Sequence, residues 1–484
     1  MTTQLEPKAV FDIFRQINGV PRPSKHEEKM IEFLKDFAAA HGLPCEVDAA
    51  GNVLIRKGAT AGKENLPCVV LQGHMDMVCE KVRDLDFDFE KQPIETYIDG
   101  EWMRAKGTTL GADDGIGVAM ALAVLIDEEL EHGPIECLFT RDEETGLTGA
   151  FEIQPGFMHG DYLINLDSED EGEIFVGCAG GANTEVTLPY STEAIPAGWL
   201  LLKASVDKLT GGHSGDDINK RRANANKVLV RFLYQLWQQH DARLVSIDGG
   251  NLHNAIPRDA TAVFAVPMAD KEAVRILFNV FASEVQSEFH AEEPNMHLTL
   301  ESTEDGSAVA IEQGVAKRLI FALQAVHNGV LEMNQDIHEL VETSSNLASI
   351  RTLKDEGKVF IVSSQRSSAT SSRINMSNTF AAPFLLAGAE VKTADGYPGW
   401  VPNPESKLLK ITVESYERLF GKAPKVRAIH AGLECGLFSE KYPGLDMVSF
   451  GPTLRGVHSP DERLLIPTVQ MVWDHLVDVI KHIQ

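Results

Sequence analysis

Gly107-Thr108-Thr109-Leu110-Gly111-Ala112-Asp113-Asp114-Gly115-Ile116-Gly117 is the stretch on which the reading of this chain turns. Two adjacent aspartates sit in a glycine-rich turn, directly ahead of an apolar helix predicted over residues 116–130. Two negative charges in that place call for something positive beside them. The expectation is that Asp113 bridges two metal ions, so the other ligands must come from elsewhere in the chain.

The neighbouring strands offer them. The apolar run 68–72 delivers His74 and Asp76 at its carboxyl end. The run 135–140 precedes Glu143 and Glu144, and the run 162–166 precedes Asp167. Strands alternating with helices imply an α/β layer structure, and open α/β sheets place their ligand crevice outside the carboxyl ends of the strands. At an extended strand end, His74 and Asp76 point the same way. One imidazole nitrogen can then bind metal while the carboxylate takes the other ring N–H. With His458 near the carboxyl terminus, the set mixes imidazole nitrogen and carboxylate oxygen, which suits zinc above other divalent ions.

The blocks around these residues resemble a known family. They are Gly107–Gly117, Thr145–Phe151, Asn165–Glu169, Gly177–Gly181, Gly211–Gly215, Asn254–Arg258, Ile429–Phe438 and His458–Glu462. In this order, nearly end to end, they are similar to the dinuclear zinc exopeptidases of the aminoacylase and carboxypeptidase G type. Within that family they match the aminoacyl-histidine dipeptidase group. The resemblance implies two Zn2+ per subunit, with Co2+ or Mn2+ able to substitute. His74 and Asp167 would hold one ion, Glu144 and His458 the other, and Asp113 both. Asp76 would orient His74, Glu143 would be the general base, and the Asp113–Asp114 peptide would be cis.

The implied reaction is hydrolysis of dipeptides, preferentially Xaa-His such as β-alanyl-histidine, by a hydroxide held between the ions. Charge counting agrees. The carboxylates of Asp113, Asp167 and Glu144 leave one charge of a Zn2+ pair unmatched, and zinc lowers the pKa of bound water from about 15.7 to roughly 7. His213 would donate to the oxyanion. The Gly212–Gly215 segment is no nucleophile elbow, because Asp216 stands where G-x-S-x-G needs glycine. By resemblance Asn254 contacts substrate, and Arg366 pairs with its C-terminal carboxylate, a task that suits a bidentate guanidinium. Gly432 lies in a loop expected to line the pocket, with His430 and Glu434 left between substrate contact and packing.

A chain of 484 residues is too long for one compact core. The texture changes near residue 188. The pattern strand 261–267, helix 271–288, strand 296–301 returns as 359–363, 371–388 and 390–393. The expected fold is α/β: a zinc-exopeptidase-like catalytic domain (1–187 and 398–484) with a mixed central sheet flanked by helices. An α+β lid of two similar halves is inserted over 188–397. The enlarged lid could let His213 act within one chain, and a homodimer is still expected.

Composition limits the partners. With 71 acidic and 44 basic residues the net charge is −27, which repels nucleic acid and anionic membranes. There is no signal-type apolar segment at the start and no run of roughly 18 apolar residues. Six cysteines without a C-x-x-C pair read as buried reduced thiols. The expected setting is the cytoplasm and the expected ligand a small peptide. Asp84-x-Asp86-x-Asp88 echoes a calcium loop but has Phe89 at the glycine position. Alternating Leu85, Phe87 and Phe89 predict a half-buried strand instead. His26, His41, His132 and His240 have no companions and are expected at the surface.

Overall fold

A computed structural model describes residues 5–304, 306–335, 337 and 340–484. The chain divides into two compact units. The first is Met1–Gly177 with Trp400–Ala428 and Leu433–Gln484; the second is Cys178–Gly399 with Ile429–Gly432.

The first unit is built on an eight-stranded mixed sheet. Its order is Cys45–Val47, Val53–Lys57, Ile135–Thr140, Val69–His74, Tyr162–Asn165, Asp446–Ser449, Glu173–Cys178, Lys425–Ile429. The strands from Ile135–Thr140 to Asp446–Ser449 run parallel. Every residue of Val69–His74 and Ile135–Thr140 is buried, as expected of parallel strands covered on both faces. Their register sets His74 opposite Thr140 and Gln72 opposite Asn165. The loops that leave these carboxyl ends therefore emerge along one edge.

Helix Ala112–Ile126 is broken by non-helical backbone at Asp113 and Asp114, so its regular part begins at Gly115, close to the predicted start, and it stops earlier than its apolar run predicts. Gly111, in the left-handed region at φ 66°, lets the chain turn into it. Asp127 ends it by going extended, its Oδ1 accepting the N–H groups of Glu129 at 2.8 Å and Leu130 at 3.0 Å. A four-stranded sheet joins the hairpin Leu454–Arg455/Arg463–Leu465 to Trp102–Ala105 and Thr96–Asp99. His458 sits in the loop of that hairpin.

The second unit begins at Cys178 rather than near 188, because Gly180–Pro189 is an inner strand of its antiparallel sheet. It pairs with Lys358–Ser367 along its whole length. Two β-α-β-β-α-β halves follow. One is Trp199–Asp207, Ala225–Gln239, Arg243–Gly249, Ala260–Pro267, Lys271–Glu288 and His297–Ser302. The other is Gly180–Pro189, Gln313–Ala325, Val341–Leu353, Lys358–Ser367, Thr370–Ala387 and Glu390–Thr393. They meet where Gly249 pairs with Ile350, and the strand order of one mirrors the other. The first half is thus inserted within the second, and both share one apolar core around Phe232, Phe264, Phe281, Phe380 and Phe384.

Three sequence expectations need correction. Residues 84–89 form no strand; they are turn and loop, although Leu85, Phe87 and Phe89 are half-buried. His132 is buried, its Nδ1 2.6 Å from the Gly133 carbonyl oxygen. Of the cysteines only Cys137, Cys178 and Cys435 are buried; Cys45, Cys68 and Cys79 are half-buried, and none of the six is joined in a disulfide. Among the described residues no helix is long and apolar enough to cross a membrane.

Candidate metal centre

The carboxyl edge of the first unit's sheet brings five of the expected side chains together. Asp113 is their common neighbour. Its Oδ1 lies 3.1 Å from His74 Nε2, which is itself 3.6 Å from Asp167 Oδ1. Its Oδ2 lies 3.2 Å from His458 Nε2, which is 3.1 Å from Glu144 Oε2. Each oxygen of one carboxylate thus faces a separate histidine–carboxylate pair.

Two donors at about 2.0–2.1 Å from a tetrahedral Zn2+ stand roughly 3.3 Å apart, close to these four histidine–carboxylate distances, and His74, Asp113 and Glu144 offer ligand atoms all within 4.8 Å of one another. Among the described residues Glu144 Oε1 is buried without a hydrogen-bond partner, a further oxygen available to a metal. The residues present therefore fit a pair of divalent ions.

The electrostatics agree. Burial disfavours charge on His74, yet the carboxylates of Asp167, Asp113 and Asp76 hold its pKa well above the ordinary imidazole value. The contacts of His458 with Asp113 and Glu144 raise its pKa to about 11. Burial pushes Asp167 up to about 7 and raises Glu143 and Glu144 as well. The surplus of negative charge draws protons in; a cation would take their place.

Asp76 is completely buried and faces both His74 and the Glu143–Glu144 turn. Its Oδ1 lies 3.3 Å from His74 Nδ1 at an angle outside hydrogen-bond geometry. Its carboxylate also accepts the backbone N–H of Glu143 at 3.0 Å and of Glu144 at 3.3 Å, and the Ser24 hydroxyl at 2.8 Å. It therefore fixes the Glu143–Glu144 turn and lies beside the His74 ring. That turn starts from Asp142 at φ 52°, whose carboxylate takes the hydroxyls of Thr145 and Thr148.

The remaining expected residues belong to the second unit. His213 pairs with Ala255 in a short ladder, and Ser214 N–H donates to the Asn254 carbonyl. The N–H groups of Gly215 and Asp216 converge on His213 Nδ1 at 3.3 and 3.2 Å, so a neutral ring carries its proton on Nε2. The Asn254 side chain is exposed. Arg366 is buried and donates to Tyr397 Oη at 3.0 Å; among the described residues its Nε has no partner. Among the described residues no carboxylate lies within ion-pair distance of Arg366. Gly432 backs onto the same tyrosine, where a Cβ would come within 2.8 Å of the ring. His430 Nε2 lies 2.7 Å from Ser344 Oγ.

Comparison with known proteins decides the family. The model of peptidase family M20/M25/M40 matches residues 70–482. The chain belongs to that family. It is a peptidase, 44% identical to the cytosol non-specific dipeptidase of Escherichia coli (strain K12), with 99% of each chain covered. It is also 44% identical to the aminoacylhistidine dipeptidase of Vibrio alginolyticus. That crystal structure superposes with a TM-score of 0.91 over 100% of this chain and 98% of the other. The aminopeptidase PepT of Bacillus cereus, at 15% identity and a TM-score of 0.58 over 99% of each chain, shares the fold.

In this M20/M25/M40 peptidase Asp114 serves differently from its neighbour. The peptide between them is cis. Asp114 turns its carboxyl inward, where a Cβ at Gly73 would lie 2.1 Å from Oδ2 and one at Gly117 2.2 Å from Oδ1. The glycines make room for that carboxyl, a role more specific than loosening the start of a helix. Sequence reading also left Glu434 open. It is buried in the first unit, and its Oε2 accepts from Gln72 Nε2 at 2.6 Å and Thr140 Oγ1 at 2.8 Å. The i−2 spacing of Gln72 from His74 was the available signal, since both face the same way.

Proposed function

We propose that this peptidase hydrolyses dipeptides, Xaa-His among them, at two divalent ions, zinc in first place. His74, Asp167 and Asp113 would hold one ion; His458, Glu144 and Asp113 the other. The observation that carries this reading is the division of Asp113, one oxygen to each histidine. Such a pair of ions supplies Lewis acidity and a nucleophilic water at neutral pH.

The protein supplies the rest. Glu143, held by its backbone bond to Asp76, takes a proton from the attacking water and returns it to the leaving amine. A carboxyl whose pKa burial has raised suits both halves of that exchange. His213, with its proton on Nε2, donates to the oxyanion. Asn254 contacts the substrate and Gly432 lines its pocket. Arg366, a buried guanidinium with no carboxylate partner among the described residues, receives the substrate's C-terminal carboxylate. Those four assignments rest on the family resemblance and on each residue's own surroundings.

The names of the two relatives at 44% identity support a dipeptide substrate, one of them with histidine at the second position. The word cytosol in one supports a cytoplasmic setting. A homodimer belongs to the same reading, and sedimentation velocity reads it directly. The test of function is zinc-loaded protein assayed on β-alanyl-histidine, other dipeptides, tripeptides and N-acyl amino acids. Turnover of dipeptides above the other classes is expected. Preference for tripeptides or N-acyl amino acids overturns the substrate assignment, and absence of hydrolysis throughout overturns the function.

A further inference from the structure

Glu462 lies 2% exposed at the end of the His458 loop, immediately before the returning strand of its hairpin. Its carboxylate accepts four consecutive backbone N–H groups. Oε2 takes Leu110 at 2.7 Å and Gly111 at 2.9 Å; Oε1 takes Ala112 at 2.8 Å and Asp113 at 3.3 Å. Leu110 and Gly111 precede the helix, and Asp113 and Asp114 break its start with non-helical backbone, so these N–H groups lack intrahelical acceptors. Gly111, the residue at the cap position, has no side chain to serve them. A serine or aspartate there could cap locally. A carboxylate brought in from some 350 residues away must instead be desolvated to do so.

Arg22 works from the other side. It is 1% exposed, and its Nη2 donates to the Gly111 carbonyl at 2.5 Å. Its Nη1 donates to the Asp76 carbonyl at 2.7 Å and lies 3.3 Å from that of Met75. A Cβ on Gly111 or Gly115 would come within 2.6 Å of the same guanidinium. Three loops are joined in this way: the end of Val69–His74 with His74 and Asp76, the turn with Asp113, and the hairpin loop with His458.

We infer that Glu462 and Arg22 are positioning residues that hold the Asp113 backbone at the height and angle where its two oxygens meet two metal ions. The inference rests on the metal-centre reading above. Glu462 takes the N–H groups of residues 110–113 and Arg22 the Gly111 carbonyl, which ties the Asp113 backbone to the His458 loop and to the end of Val69–His74. Neither residue touches substrate.

The test uses the full chain and Zn2+. Glu462→Gln keeps the size but turns an NH2 toward N–H donors, and Arg22→Lys keeps the charge but loses the fork. Chelator competition should show Zn2+ bound about 10–100-fold more weakly by each variant. Turnover should fall while KM stays within about twofold, and added Zn2+ should raise Tm less than in the wild type. Wild-type Zn2+ affinity in folded variants overturns the inference. So does a loss of Tm that is equal with and without Zn2+, since that marks a merely structural role. If Glu462→Gln is not recovered folded, Arg22→Lys decides on the same measurements. A wild type that binds no Zn2+ overturns the metal-centre reading itself, whereas tight binding by wild type and variants alike overturns only this inference.

Discussion

His458 Nε2 lies 3.2 Å from Asp113 Oδ2, although 345 residues separate them in the chain. The contact occupies one oxygen of Asp113 and leaves the other to His74. Because one residue serves two clusters, damage at either should be felt at both.

Glu143→Ala should lower turnover by about 10²–10⁴-fold, the usual scale for a general base, while Zn2+ content by elemental analysis stays at the wild-type level. Metal loss in this variant would make Glu143 a ligand instead.

Arg366→Ala should lower kcat/KM on free dipeptides by about 10–100-fold, the cost of a hydrogen bond to a charged group. A C-terminally amidated dipeptide should be turned over almost equally by wild type and variant. An equal loss on both substrates would leave Arg366 a structural partner of Tyr397.

Gly117→Ala would set a methyl group 2.2 Å from Asp114 Oδ1 and 2.8 Å from the Leu166 carbonyl oxygen. Unfolding in urea, without metal, should show a loss of about 1–3 kcal/mol, the scale of overpacking. Gly58→Ala, which meets no atom within 4 Å, should change stability far less.

His475 provides a pH dependence away from the metal centre. Burial lowers its pKa to about 4, against the pull of its 2.8 Å contact with the Thr412 carbonyl. The folded state thus holds the ring neutral while the unfolded chain protonates near 6.5. This contribution to stability is present above pH 6.5 and lost as pH falls toward 4, at about 1.4 kcal/mol per unit. Relative to His475→Gln, which can still donate to Thr412, the wild type should lose stability between pH 7 and pH 5 in urea titrations. Parallel curves would refute the assignment.

Much of the centre was legible in the sequence. His74, Asp76, Glu143, Glu144 and Asp167 follow apolar runs of strand length, and strand ends are where α/β folds gather polar side chains. The residues least legible were those whose task is set by a distant partner. Arg22 precedes Pro23 in an unremarkable loop, and Glu462 reads as one more surface acid in a chain of net charge −27. The strand Gly180–Pro189 begins with two glycines, a poor strand signal, and its partner lies more than 170 residues further on.

The sequence by itself determined the α/β alternation of strands and helices, the buried helix after Asp113, the repeated β-α-β pattern and which polar side chains follow the strand ends. Each of these follows from local periodicity or from residue types in order. Tertiary structure alone decided that Asp113 divides its oxygens between two histidines, that Glu462 closes the helix start beneath it, and that one half of the second unit is threaded through the other. The physical reason is common to all three. Hydrogen bonds and ladder pairings join groups a few ångströms apart whatever their separation along the chain, and no local pattern records which distant group will arrive.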